Sequence, residues 1–174
     1  RFDRYARNKK SHVEDFAQLT GNTRDTKYNW TMEKLIPVIE NYCTFPLLEK
    51  RKLFRRVLFC FLTGNEDMHL KNFSLITRNN KIELSPAYDL LNSTISMDSA
   101  VEEMALPIAG KKRKINKADL FEYYGADRLK LSEKTIMSEI ENLTHKQDGL
   151  EKMIQISFLS EAMKDKYTEF MLER

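Results

Sequence analysis

The sequence predicts a mainly α-helical domain that is interrupted by one short β-hairpin. Glycine and proline number only 5 and 4 among 174 residues, which favours long helices. Within residues 47–62, apolar residues recur three and four positions apart on both sides of the expected helix, as in a central buried helix. Two short β-type runs, FSLIT and KIELS, flank the turn-forming sequence RNNK, which predicts the hairpin.

Two further helices are expected before the central one. In SHVEDFAQLTG, Ser11 is a candidate N-cap, Glu14 follows as in a capping box, and Gly21 marks the end. In TMEKLIPVIENYC, Thr31 is the candidate cap. Pro37 lies inside this second pattern, so it either kinks the helix or delays its start.

The chain after the hairpin is expected to be irregular before helices return. SPAYDLLNST is expected to form a loop, and EEMALPIAGKKRK an extended segment followed by a basic loop. Three more helices are expected, at about 117–124, at 132–145, and from 147 to 163 or beyond. We therefore predict a single helical domain over residues 1–174.

The composition restricts the class of partner. Hydrophobic residues make up 41% of the chain and charged residues 32%, as in a globular protein, and no apolar run approaches the roughly 18 residues of a membrane span. The net charge of +3 gives no reason to expect direct nucleic-acid binding. Cys43 and Cys60 lack metal-ligand spacing and lie among apolar residues, so we expect buried reduced thiols and a cytoplasmic location.

Acidic and amide side chains bracket the hairpin. GNEDMHLKNFSLI places Asp67 and Asn72 five positions apart before it, and AYDLL places Asp89 after it. Kinase-type phosphotransfer uses an Asp to orient the attacking hydroxyl, a following Asn to bind Mg²⁺, and a second Asp to bind the metals on the nucleotide phosphates. The pattern therefore predicts Asp67 as the catalytic residue, with Asn72 and Asp89 as metal ligands.

Two other side chains of the same stretch are candidates for the chemistry. His69 is a candidate hydrogen-bond partner within the loop, and a purely structural role explains it equally well. Lys71 is a candidate contact to the transferred phosphate as a point charge. We divide the region into a catalytic loop at 64–72, a hairpin at 73–84 and a metal-binding loop at 85–92.

At these residues the sequence resembles the HipA-like serine/threonine kinases, the toxins of bacterial toxin–antitoxin pairs. GNEDMHLKNFSLI followed by LSPAYDLL carries the resemblance. RFDR resembles the hinge strand of that family, and EDFAQLTG and KYNWTMEKLIPVIENY resemble the helices that follow. EEMALPIAGKKRKINKADL resembles the segment after the metal-binding Asp, so the likeness extends to about Leu120.

The resemblance implies a protein-kinase-like C-lobe of the HipA C-terminal type. It implies Asp67 as the catalytic Asp, Asn72 and Asp89 as ligands of the metal, and Phe2 at the hinge position that lines the adenine pocket. It further implies Mg²⁺ and ATP as cofactors, phosphorylation of a protein serine or threonine, and a DNA-binding antitoxin as partner. Translation factors such as aminoacyl-tRNA synthetases are the substrate class of such families.

The N-terminal lobe of that family, with its phosphate-binding loop and ATP-contacting Lys, has no counterpart in these residues. The initial RF is typical of the end of a strand, so we expect a fragment of a longer chain. The fragment alone is expected to bind ATP weakly and to turn over little. Activity is expected of the longer protein.

Two other functions fit the pattern. The sequence D-x-H-x-x-N also occurs in phosphatidylinositol kinases and resembles aminoglycoside-type phosphotransferases, which would make the acceptor a lipid or a small molecule. Alternatively, the chain is a non-catalytic module that binds an antitoxin or another partner. The presence of Asp67, Asn72 and Asp89 together argues against loss of catalysis.

Overall fold

Helices make up most of the regular structure, as predicted. The computed structural model describes residues 2–96 and 102–174, and Arg1 and residues 97–101 lie outside the described part. The helices are α1 Phe16–Leu19, α2 Leu35–Tyr42, α3 Pro46–Thr63, a π-helix at Ala118–Arg128, α4 Glu133–Thr144, α5 Gln147–Gln155 and α6 Glu161–Leu172. The strands are β1 Arg4–Ala6, β2 Lys9–Lys10, β3 Val13–Asp15, β4 Ser74–Arg78 and β5 Lys81–Leu84.

The predicted central helix is α3. Pro46 opens it with a preset helical φ, at a position where a backbone N–H has no acceptor within the helix. Leu53, Phe54 and Val57 are almost completely buried, because α2, β5, α4 and α6 all contact this helix. The helix ends at Gly64, whose φ of 70° forms a left-handed cap.

The predicted hairpin is confirmed, and it is part of a larger sheet. Asn79 and Asn80 have φ of 49° and 57°, as a two-residue hairpin turn requires, and Leu75 pairs with Leu84. A third strand, β3, pairs antiparallel with β4 on its other side, so the order is β3-β4-β5. The sheet therefore joins the segment before α1 to the segment after the catalytic loop.

The prediction of one helix across SHVEDFAQLTG is wrong for its first half. Val13–Asp15 is strand β3, and only Phe16–Leu19 is helical. A capping box is present, but it is formed by Asp15 and Gln18 rather than by Ser11 and Glu14. Pairing with β4 satisfies the backbone groups of the earlier residues, and this tertiary contact outweighs their local helical signal.

Other element boundaries also differ from the predictions. The predicted hinge strand begins at Arg4, since Phe2 lies in a turn. Helix α2 begins at Leu35 with Pro37 in its first turn, so the proline delays the start of this helix. Thr31 caps the preceding turn instead, where its hydroxyl accepts a hydrogen bond from the backbone N–H of Lys34 at 3.3 Å.

The helix predicted from residue 147 onward is two helices, α5 and α6. The hydroxyl of Ser157 donates to the carbonyl oxygen of Ile154 at 2.6 Å, which competes with helix continuation after α5. The helix predicted at 117–124 is a π-helix that continues to Arg128. The segment between residue 102 and this helix is irregular, with one isolated bridge between Ile108 and Lys111.

The core lies between α3, the β3–β5 sheet, the π-helix and α4. Tyr124 of the π-helix is fully buried, and its hydroxyl donates to the carbonyl oxygen of Met32 at 3.3 Å. Cys43 and Cys60 are buried free thiols, as predicted. Burial raises the pKa of both thiols to about 12, which keeps them protonated. Within residues 2–96 and 102–174, no helix has the length and apolar character needed to cross a bilayer.

Replacement of Gly64 by Ala is expected to destabilise the protein by about 2–4 kcal/mol. The left-handed φ of 70° is unfavourable for Ala, and a Cβ would lie 2.9 Å from Phe170 Cε1 and 3.0 Å from Asn92 Oδ1. Urea unfolding measures the loss. Gly21 is the matched control, because its φ is 69° but a Cβ there meets no atom within 4 Å. Equal losses for Gly64→Ala and Gly21→Ala would show that the close contacts contribute nothing.

Candidate active site

The predicted catalytic loop connects α3 to β4. Met68 and Leu70 are buried, whereas Asp67 between α3 and the 3₁₀ turn Leu70–Asn72 is exposed. The buried side chains of Met68 and Leu70 fix the loop to the core, and the Asp67 side chain that precedes them is exposed to solvent. The loop is thus anchored by its apolar residues while it presents a carboxylate at the surface.

Asp67 and Asn72 are joined directly. The Asn72 amide nitrogen donates to the backbone carbonyl oxygen of Asp67 at 2.9 Å, and Asn72 is buried. This bond fixes the orientation of the amide, so its oxygen is the atom left for another partner. An amide oxygen held in this way is a suitable ligand for a hard cation.

Asn65 links the catalytic loop to the segment that carries Asp89. Its side-chain oxygen accepts from the backbone N–H of Asp67 at 3.2 Å, and its side-chain nitrogen donates to the carbonyl oxygen of Asp89 at 2.9 Å. Asn65 is only 2% exposed. Asn65 was not among the predicted site residues, although its position two before Asp67 is a local signal for a loop-stabilising amide.

Replacement of Asn65 by Ala is expected to loosen both segments and to cost about 2 kcal/mol of folding stability. The change removes two part-buried hydrogen bonds made by a buried side chain, and thermal and urea unfolding measure the loss. Asn65→Asp keeps the acceptor for the Asp67 N–H but loses the donor to Asp89. A loss at least as large as that of Asn65→Ala is therefore expected for Asn65→Asp, because a buried carboxylate oxygen then faces the carbonyl oxygen of Asp89. An unchanged stability for both variants would contradict the proposed link.

Tyr88 forms a second connection between the two loops. Its hydroxyl donates to the carbonyl oxygen of Lys71 at 2.7 Å and accepts from the hydroxyl of Ser74. The ring of Phe2 stacks on the Tyr88 ring, with centroids 5.5 Å apart and an interplanar angle of 20°. Phe2 is therefore next to the residue that precedes Asp89. Asp89 itself has a left-handed φ of 57°.

His69 is buried beside Asp67 and contacts a lysine that sequence analysis did not single out. Its Nε2 lies 2.7 Å from Nζ of Lys27. Burial, and then the charge of Lys27, lower the pKa of His69, which favours the neutral ring. The neutral Nε2 accepts from the ammonium group, so the ring proton is on Nδ1. The His69 side chain is thus a structural acceptor within the loop.

Lys71 already has an acidic partner. Its Nζ lies 2.8 Å from Oδ2 of Asp15, the N-cap residue of α1. The pair is partly exposed, so it is weak and can exchange with another anion. Contact of Lys71 with a phosphate remains a prediction, and it would require this ammonium to be shared with Asp15 or released from it.

The donor set fits Mg²⁺ bound together with nucleotide phosphates. No group of three or more His, Cys, Asp or Glu side chains in the described ranges could hold a metal by itself. Asn72 and Asp89 would hold the ion with one amide oxygen and one carboxylate. Mg²⁺ is usually held by one or two such groups, with waters and substrate phosphates completing the octahedron.

The family model of the HipA-like C-terminal domain matches residues 1–149 of the chain. The chain belongs to this family. It is a kinase-related domain, and several relatives carry the word kinase in their names. The matched residues include the predicted catalytic loop, the β3–β5 sheet and the segment with Asp89.

Two curated relatives are similar over the same region. A Sinorhizobium fredii protein named "Putative kinase Y4dM" is 37% identical over 129 residues, which cover 72% of this chain and 31% of the relative. A Haemophilus influenzae protein named "Putative kinase" is 36% identical over 104 residues, covering 53% of this chain and 29% of the relative. The chain thus matches about a third of the length of these relatives.

Two solved structures share the fold. HipA of the Shewanella oneidensis MR-1 toxin–antitoxin system, solved with HipB and operator DNA, gives a TM-score of 0.82 at 22% identity. The match covers 99% of this chain and 46% of that one. The Helicobacter pylori proinflammatory kinase CtkA gives a TM-score of 0.58 at 16% identity, over 94% of this chain and 64% of that one. The HipA-like C-terminal fold predicted from the sequence is therefore confirmed.

Proposed function

We propose that this HipA-like domain is the catalytic lobe of an ATP- and Mg²⁺-dependent kinase that phosphorylates a serine or threonine of a protein. The observation that carries the proposal is the linked set of Asp67, Asn72 and Asp89. Asn65 joins the backbone of Asp67 to that of Asp89, and Asn72 is bonded to Asp67. The backbone segments that carry the proposed acceptor-orienting carboxylate and the two proposed cation ligands are thus joined by hydrogen bonds.

The chain's residues have distinct roles in this proposal. Asp67 orients the acceptor hydroxyl and receives its proton as the acceptor oxygen bonds to the γ-phosphorus, while the bond from that phosphorus to the β,γ-bridging oxygen breaks and ADP leaves. Asn72 and Asp89 hold the cation, which when bound neutralises charge on the nucleotide phosphates. Phe2, stacked on Tyr88, would contribute to the adenine pocket from the hinge side. Lys71 is the proposed cation for the transferred phosphate.

A DNA-binding antitoxin is the proposed partner. The Shewanella oneidensis HipA that shares this fold was solved with HipB and operator DNA. A protein substrate from the translation machinery is part of the same proposal, because it follows from the resemblance to HipA-like kinases. The chain itself carries a weak net charge of +3, so contact with DNA is assigned to the antitoxin.

The test uses the complete gene product that contains these residues. It is incubated with Mg²⁺ and γ-labelled ATP together with bacterial extract, with phospholipid vesicles, or with aminoglycosides. Label on protein serine or threonine, dependent on Mg²⁺, is the expected result. Label on the lipid or the aminoglycoside alone would show that the acceptor is a lipid or a small molecule rather than a protein. The absence of transfer to all three kinds of acceptor would contradict kinase activity.

A further inference from the structure

The turn segment between α1 and α2 contacts the catalytic loop through two consecutive residues. Lys27 Nζ lies 2.7 Å from His69 Nε2, and the Tyr28 hydroxyl lies 2.5 Å from Oδ1 of Asp67. The carbonyl oxygen of Lys27 also accepts from the backbone N–H of Leu70 at 3.3 Å. We call Lys27 and Tyr28 the clamp, because side chains and backbone together hold three positions of the loop.

Tyr28 is a hydrogen-bond donor to Asp67. Burial, followed by the hydrogen bond to Asp67 and its charge, raises the pKa of Tyr28 to about 12, so the phenol keeps its proton. The ring meets His69 edge-on, with centroids 5.0 Å apart at 84°, and this contact fixes the direction of the phenol. Oδ1 of Asp67 is therefore occupied. Oδ2 has no hydrogen-bond partner among the residues that the structure describes.

Lys27 is a second contact of the Tyr28 ring, next to His69. Its ammonium group lies 4.8 Å from the centroid of the Tyr28 ring, while it donates to His69. Lys27 and His69, which are bonded to each other, therefore both contact the Tyr28 ring from the same side. The clamp therefore acts as a unit on an exposed carboxylate, which would otherwise be free to rotate in water.

We propose that Tyr28 is a positioning residue for phosphoryl transfer: it fixes the Asp67 carboxylate through Oδ1 so that Oδ2 faces the acceptor hydroxyl, and Lys27 keeps Tyr28 in place. The inference rests on the proposed function, in which Asp67 orients the acceptor hydroxyl. In a reaction that depends on alignment, a small displacement of such a group costs up to about a hundredfold in rate. The clamp is the part of the fold that prevents this displacement.

The opposite reading is that the phenol occupies the place of the acceptor and must leave before transfer. The two readings predict changes of opposite sign when the hydroxyl is removed. A positioning hydroxyl lowers kcat when it is lost, whereas an occluding hydroxyl raises kcat. The free Oδ2 of Asp67 and the two supports of the Tyr28 ring favour positioning.

The experiment measures kcat and KM for Mg-ATP in the complete gene product. Tyr28→Phe is expected to lower kcat about 10–100-fold, with KM for Mg-ATP unchanged because the clamp does not reach the metal ligands. Lys27→Met is also expected to lower kcat. In the double variant it is expected to add little to the loss that Tyr28→Phe causes alone. Tyr42→Phe is the matched control, since Tyr42 is an exposed tyrosine at the end of α2 and is expected to keep the full rate.

A double-mutant cycle separates positioning from general destabilisation. If Tyr28 acts through the carboxylate, Tyr28→Phe has no further effect on the residual rate of Asp67→Ala. An equal fractional loss in both backgrounds would assign Tyr28 a structural role and overturn the inference. An unchanged or increased kcat for Tyr28→Phe would also overturn it. Failure of the unmodified protein to transfer phosphate is a different result, which removes the proposed function itself.

Discussion

Replacement of Asp67 by Asn is expected to lower the rate of phosphate transfer about 1,000-fold, within the range for loss of a positioned general base. The amide keeps the shape of the carboxylate and can still accept from Tyr28. It cannot take up the proton of the acceptor hydroxyl. Mg-ATP affinity is expected to stay within about twofold, because Asp67 is not assigned to the metal and the change removes transition-state stabilisation only.

Initial rates with γ-labelled ATP and calorimetric titration with a non-hydrolysable ATP analogue measure the two quantities in the complete gene product. Asp148→Asn is the control, since Asp148 is an exposed acid in the first turn of α5. Full transfer by Asp67→Asn would remove Asp67 from the catalytic assignment. A parallel loss of nucleotide affinity would instead indicate that the substitution disturbs the loop.

Replacement of Asp89 by Ala is expected to weaken Mg²⁺-dependent nucleotide binding by at least about 100-fold, equal to about 2.7 kcal/mol. The loss removes the one carboxylate assigned to the cation. Because Asp89 has a left-handed φ of 57°, Ala also strains the backbone. Asp89→Asn separates the effects, since Asn tolerates this conformation and lacks the charge.

Titrations with the ATP analogue in Mg²⁺ and in excess EDTA measure the metal-dependent part of the affinity. Both variants are expected to lose it. If Asp89→Asn kept the affinity of the unmodified protein while Asp89→Ala lost it, backbone strain rather than the missing carboxylate would be the cause. Unchanged binding by both variants would remove Asp89 from the metal site.

The elements that the sequence predicted correctly are those whose signal is local. Helix α3 has apolar residues on both sides and a proline at its start, and the hairpin has two asparagines at a turn that requires positive φ. Strand β3 was missed because its partner, β4, lies far along the chain, and a short run beside a capping box resembles a helix start. The π-helix has no local signature that distinguishes it from an α-helix.

In the candidate site, too, local patterns were predictable from the sequence and contacts between distant segments were not. The spacing of Asp67, Asn72 and Asp89 around a hairpin was visible in the sequence. The residues that hold them were not, because Tyr28 and Asn65 reach their partners through contacts between segments 39 and 24 positions apart. Tyr28 lies outside the motif and Asn65 inside it, and only the folded chain shows which partners their side chains meet.

The pairing of β3 with β4 also has a kinetic consequence. Val13 lies opposite Ile76, so their contact closes a long loop, whereas the β4–β5 hairpin closes across only two turn residues. Closing a longer loop costs more entropy, and folding slows as such distant contacts come to dominate. The hairpin depends on neighbouring residues alone, whereas β3 needs a partner about 60 residues further along the chain. The arrangement around the proposed catalytic loop is therefore expected to be completed after the hairpin, when β3 pairs with β4.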